Sequence, residues 1–191
     1  MKRSTLIAVL VAVLLLGGAL GAGAQVRLDA DLNWPLIGGI ALDPVFGSSG
    51  GSLDLSQYHL ILPDFRLYYQ WGDGKWRGGL GLRIYTVIIE SLFFPEAYVE
   101  LDLPHFALDV SLGGFVFGAF GLYNDVTAAG LLLPDVAAYW AINDWFRLGA
   151  GALLFVPTGF GSSFGYIGYI GARFVWVYGK KGDSGSAKGA R

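Results

Sequence analysis

Residues 26–34 read Val-Arg-Leu-Asp-Ala-Asp-Leu-Asn-Trp. Val26, Leu28, Ala30, Leu32 and Trp34 fall on one face of an extended chain, and Arg27, Asp29, Asp31 and Asn33 on the other. Side chains alternate across a strand, so this is an amphipathic strand; a helix would mix the two sets on every face. The same period recurs. Phe65, Leu67, Tyr69 and Trp71 oppose Arg66, Tyr68 and Gln70. Trp76, Leu80, Leu82 and Ile84 oppose Lys75, Arg77, Arg83 and Tyr85. Ala97, Val99, Leu101 and Leu103 oppose Glu96, Tyr98, Glu100 and Asp102, and Phe106, Leu108, Val110 and Leu112 oppose Asp109 and Ser111. Val136, Ala138, Trp140 and Ile142 oppose Asp135 and Tyr139. Phe146, Leu148, Ala150, Ala152 and Leu154 oppose Arg147, Gly149 and Gly151, and Ile170, Ala172, Phe174, Trp176 and Tyr178 oppose Gly171 and Arg173.

These eight segments are joined by connections of alternating length. Gly72-Asp73-Gly74, Pro104-His105 and Asn143-Asp144 are tight-turn sequences. Longer stretches lie near 35–57, 87–95, 119–134 and 156–163. The second strand is expected to run unbroken from about Tyr58 to Trp71. A turn at Pro63-Asp64 would leave residues 65–71 too short to cross a bilayer, where about 9–11 residues are needed. Short turns at one end and longer loops at the other predict an all-β fold, an eight-stranded antiparallel up-and-down transmembrane β-barrel over residues 25–178.

Composition agrees with a membrane barrel. Of 191 residues, 54% are hydrophobic and only 15% charged, against about 25% charged in a soluble domain. After residue 24 no apolar run reaches the ~20 residues of a membrane helix. There is no cysteine, which removes disulfide scaffolds, thiolate zinc sites, Fe–S clusters and thiol nucleophiles. A net charge of −2 carries no nucleic-acid footprint. Residues 1–24 read as a cleaved signal peptide: Lys2 and Arg3, an apolar core from Leu6 to Leu16, then Ala22-Gly23-Ala24. An uncleaved anchor is the alternative. The soluble rival for the whole fold is a lipocalin-like barrel or sandwich.

Charge and tryptophan placement both carry information. All seven basic residues between 25 and 178 (Arg27, Arg66, Lys75, Arg77, Arg83, Arg147 and Arg173) share the polar parity. A basic side chain facing lipid near the midplane costs about 2–4 kcal/mol. Trp71 and Trp76 flank the first tight turn, Trp140 and Trp145 the third, and Trp176 lies near the end of the last strand. Five of the six tryptophans therefore gather at one end as an interface girdle. Phe94, Phe115, Phe117, Phe155 and Phe164, with Trp34, are candidates for the other girdle.

The mature chain resembles the small eight-stranded outer-membrane barrels of the OmpA membrane-domain, OmpX and OmpW classes. The likeness lies in pattern over residues 25–178 and in Gly171-Ala-Arg-Phe174-Val-Trp176, which is similar to the glycine-then-alternating-aromatic signal of such barrels. It implies an outer-membrane location with periplasmic termini, contact with outer-membrane lipids, and recognition of Gly171, Phe174 and Trp176 by the barrel-assembly machinery. The chain departs from that pattern by running past the last aromatic into residues 179–191, a small, polar, basic tail that reads as disordered.

An eight-stranded barrel is just wide enough to be filled by its own side chains. The inward basic set faces eight acids: Asp29, Asp31, Asp64, Glu96, Glu100, Asp102, Asp109 and Asp135. Near-equal numbers predict a paired network in a largely plugged lumen. Gly79, Gly81, Gly149, Gly151 and Gly171 would let the wall curve or make room for the long arginines. Catalysis has little to build on. Of two histidines, His105 sits in a turn. His59 lies near Asp54, Ser56 and Ser91, the nearest approach to a serine–histidine–acid set, but its parity faces lipid. No cofactor or metal motif is present. Apolar residues near the long loops (Leu36, Ile37, Ile40, Val87–Ile89, Leu92–Phe94, Leu131–Leu133) read either as strand continuations facing lipid or as a hydrophobic mouth. The expected function is a non-enzymatic structural or surface-interaction barrel. The alternative is a small channel or passage for ions or apolar molecules.

Overall fold

The structure is a computed structural model and describes residues 25–41, 52–72, 74–87, 90–115, 118–120, 131–157 and 165–179. The expected leader and most of the tail lie outside the described residues, as do Phe117 and Phe164. Alternating sequence becomes strand throughout: β1 (Gln25–Ala41), β2 (Ser52–Asp54), β3 (Leu62–Trp71), β4 (Trp76–Val87), β5 (Glu90–Leu103), β6 (Phe106–Gly114), β7 (Gly118–Phe120), β8 (Leu131–Ala141), β9 (Phe146–Pro157) and β10 (Gly165–Tyr178). The eight long strands pair antiparallel in the order β1-β3-β4-β5-β6-β8-β9-β10. β10 returns to β1 in a register from Val26↔Tyr178 to Gly39↔Tyr166, so the sheet closes.

The two short strands are the outer pieces of interrupted ones. β2 lies above β3 on the same side of β1: Asn33 pairs with Leu62 and Gly39 with Asp54, so six steps along β1 face eight along its neighbour. The surplus is taken up by a 3-10 turn, Leu55–Tyr58, followed by His59 in the left-handed region. The second strand therefore starts at Leu62 rather than near Tyr58. Asp54 is the cause: its carboxylate accepts hydrogen bonds from the backbone N and hydroxyl of Ser56 and from the Gln57 amide, a local alternative to the ladder. β7 continues β6 in the same way beyond Phe115, with two extra residues opposite β5. Lipid-exposed irregular backbone is not stable in hydrocarbon, so these breaks lie at one end of the membrane-crossing band. Below them, the ten residues of β3 are long enough to span the ~25 Å apolar band at the usual barrel tilt.

Strand runs into the expected loop stretches: β1 continues to Ala41 and β8 starts at Leu131. Residues 87–95 are not a long loop: β4 and β5 are separated only by residues 88–89 and pair up to Val87↔Glu90. The short turns lie at the opposite end. At the first of them, Gly72 adopts φ +88°, and a Cβ there would meet the Trp76 carbonyl oxygen at 2.6 Å, so glycine is required.

Candidate functional site: the lumen

Parity along each strand sorts the side chains. Outward positions carry exposed Leu32, Phe65, Leu67, Leu80, Val99, Val110, Leu112, Val136, Leu148 and Ile170. Inward positions carry Arg27, Asp29, Asp31, Asp64, Arg66, Arg83, Glu96, Glu100, Asp109, Asp135, Arg147 and Arg173, all buried. A soluble protein has the opposite arrangement.

The lumen is layered along its axis. Nearest the short turns is a balanced set of three arginines and three acids. Arg27 donates from Nε to Asp29 at 2.8 Å and from Nη2 to Glu100 Oε2 at 2.9 Å. Arg147 Nη1 reaches the same Glu100 oxygen at 2.8 Å. Arg77 pairs with Asp102, and these two side chains keep 22% and 21% exposure, so they form the mouth. Lys75, expected inside, instead sits exposed in the turn between β3 and β4, where its long side chain is free to meet water.

The middle layer holds three arginines and five acids. Arg83 donates to Asp64 Oδ2 at 2.7 Å, to Asp135 Oδ2 at 2.8 Å and to Glu96 Oε1 at 2.8 Å. One nitrogen of Arg66 lies 3.0, 3.1 and 3.3 Å from oxygens of Asp64, Asp135 and Asp31. Arg173 grips Asp31 with two parallel bonds of 2.8 and 2.9 Å and also donates to Asp109. Tyr68 and Ser111 donate to Glu96, and Tyr169 donates to Asp135 at 2.9 Å. Such shared, charge-assisted bonds offset much of the cost of burying ions.

Above this the lumen turns apolar. Leu55, Leu62, Leu92, Phe94, Leu131, Leu133, Leu153, Phe155 and Ile167 are all buried in one cluster. Phe94 and Phe155, expected in the outer girdle, therefore point inward. Among the described residues, the exposed aromatics at that end are Trp34, Tyr58, Phe115 and Tyr166. The apolar residues near the loops divide likewise: the strands do extend, but Leu92, Phe94, Leu131 and Leu133 fill the lumen while Leu36 and Ile37 stay exposed. Sequence reasoning missed this layer and Tyr169. The same parity carried outward from Asp64, Glu96, Asp135, Arg147 and Arg173 would have found them.

The inward glycines make room for rings more than for arginines. A Cβ at Gly79 would lie 2.5 Å from the Tyr98 ring, and one at Gly151 2.5 Å from the Tyr169 hydroxyl. At the turn end, Trp71, Trp76, Trp140, Trp145 and Trp176 are exposed. Trp145, Phe174 and Trp176 stack in sequence at 6.0 and 6.2 Å, and His105 stacks on Trp140 at 6.0 Å. Gly171 is inward beside Asn33. His59 is exposed and packs edge-on against Trp34, while Asp54 serves the 3-10 turn. No group of three histidines or carboxylates among the described residues is arranged to hold a metal ion.

No known family model matches the chain, and no curated protein sequence matches it. Among solved structures, the chain is similar to the crystal structure of Neisserial surface protein A, at 14% identity and a TM-score of 0.40, covering 80% of this chain and 97% of that one. The strand pairing itself establishes the architecture: a closed, eight-stranded, antiparallel β-barrel of the transmembrane kind, apolar outside and charged within.

Proposed function

We propose that the chain is an integral outer-membrane barrel with a sealed lumen, non-enzymatic, acting as a structural or surface-interaction protein through its outer loops. One observation carries this reading. Two successive layers fill the bore: Arg66, Arg83 and Arg173 at no more than 1% exposure, then the apolar cluster around Phe94 and Phe155. Hydrated ions entering from the mouth would have to break the first and dehydrate in the second. The outward apolar band and the turn-end tryptophans support contact with outer-membrane lipids. The termini and short turns are read as periplasmic and the long loops as external. Gly171, Phe174 and Trp176 are the residues proposed to be recognised by the barrel-assembly machinery, and residues 1–24 the leader that exports the chain.

Single-channel recording of the refolded mature protein in a planar bilayer tests the seal. Reproducible insertion without conductance is the expected result. Stable discrete openings would replace this reading with the channel alternative, with the inward arginines and carboxylates setting selectivity.

A further inference from the structure

The middle layer does not balance. Arg66, Arg83 and Arg173 face Asp31, Asp64, Glu96, Asp109 and Asp135, all buried. With every group ionised the layer would carry −2. The layer below is already balanced, Arg27, Arg77 and Arg147 matching Asp29, Glu100 and Asp102. The layer above is apolar. The outer loops have nothing to add: no lysine or arginine occurs between 28 and 65, between 84 and 146 or between 148 and 172, so no basic side chain from the long loops could fold down to supply the missing charge. A metal ion is disfavoured because the arginines interleave the carboxylates, and no group of three described acids is arranged to hold one.

Two buried hydroxyls lie at the same place. The hydroxyls of Tyr85 and Tyr139 are buried in or beside this layer and have no hydrogen-bond partner. Tyr85 stands directly opposite Asp64 in the β3–β4 register. The ring of Tyr139 lies 4.2 Å from the guanidinium of Arg173, which binds Asp31 and Asp109. A phenol can donate to an ionised carboxylate or accept from a carboxylic acid, so each of these hydroxyls is a buried polar group beside the acids that is open to a further hydrogen bond.

We propose that the middle layer is a proton-binding site: when the barrel folds, the cluster of Asp31, Asp64, Glu96, Asp109 and Asp135 takes up one to two protons at neutral pH. The proton belongs to the coupled group rather than to one residue. The groups facing it are Asp31 on β1, Asp64, Arg66 and Tyr68 on β3, Arg83 and Tyr85 on β4, and Glu96 on β5. The remainder are Asp109 on β6, Asp135 and Tyr139 on β8, and Tyr169 and Arg173 on β10. The proposal rests on the sealed-lumen reading only in that bulk water is kept from the layer.

The test is reversible urea unfolding of the micelle-refolded mature chain between about pH 7.5 and 9, above the histidine range and below those of tyrosine and lysine. Because the folded state binds more protons, the folding constant should fall about tenfold per pH unit for each retained proton. Asp31→Asn should flatten that slope by one proton. Infrared spectra of the folded wild type at pH 8 should show the carbonyl band of un-ionised carboxyl groups, a readout that needs no variant to fold. A flat slope together with absence of that band overturns the proposal. A stability that instead depends on which alkali cation is present also overturns it, since the balancing charge would then be a metal ion. Conductance reports the seal and this experiment reports the protons, so the two readings fail separately.

Discussion

The middle and outer thirds of the lumen occupy the same bore and are lined by opposite kinds of side chain. The charged layer is held by directional bonds: remove one guanidinium and several carboxylates lose a partner at once. The apolar layer is held by packing, where Phe94, Leu133, Leu153 and Phe155 need only shape. Buried ion pairs are weak contributors to net stability but costly to break, whereas apolar contacts degrade in proportion to the volume lost. The charged layer thus fixes which strands lie beside which, and the apolar layer packs over it.

Substitutions can separate these roles. Arg66→Met should be the most damaging, because it strips a shared donor from Asp31, Asp64 and Asp135. Urea unfolding in micelles is expected to register a loss of about 3–5 kcal/mol; a loss below 1 kcal/mol would mean the network is not the strut it is drawn as. Leu153→Ala removes a fully buried side chain from the apolar layer, with an expected cost of about 2–5 kcal/mol and, in planar bilayers, no conductance while the charged layer beneath persists. Gly151→Ala sets a methyl group against Tyr169; overpacking of this kind costs about 1–3 kcal/mol and should also perturb the near-ultraviolet circular dichroism of the tyrosines. Arg77→Ala at the partly exposed mouth should cost less than about 1 kcal/mol. An equal penalty at Arg77 and Arg66 would erase the distinction between mouth and middle layer.

The same contrast explains what the sequence disclosed. Where the lumen is charged, one face is polar and the other apolar, so Arg27 to Asn33, Glu96 to Asp102 and Asp135 to Tyr139 alternate plainly and the strands are legible. Where the lumen turns apolar, both faces are apolar and the period vanishes. Val87-Ile88-Ile89 and Leu131-Leu132-Leu133 then resemble loops or runs, which hid the upper β4–β5 hairpin and the start of β8. The break above β3 was invisible for another reason: short-range bonds donated by Ser56 to the Asp54 carboxylate override strand pairing without disturbing composition. Phe94 and Phe155 were misplaced because a preference of aromatics for interfaces outweighed the parity that Glu96 and Arg147 already supplied. Lys75 shares the inward parity but lies past the strand end, where parity no longer sets direction.

The seam between β1 and β10 has a kinetic corollary. Arg173 reaches Asp31 across 142 residues of chain, and the first strand finds one of its two neighbours only when the last has arrived. Contacts of such separation are slow to form because the intervening chain must first surrender its loop entropy. Until then the sheet keeps two open edges and an unshielded row of apolar side chains, the condition under which β proteins aggregate. The polypeptide is therefore at its weakest just before the ring is joined.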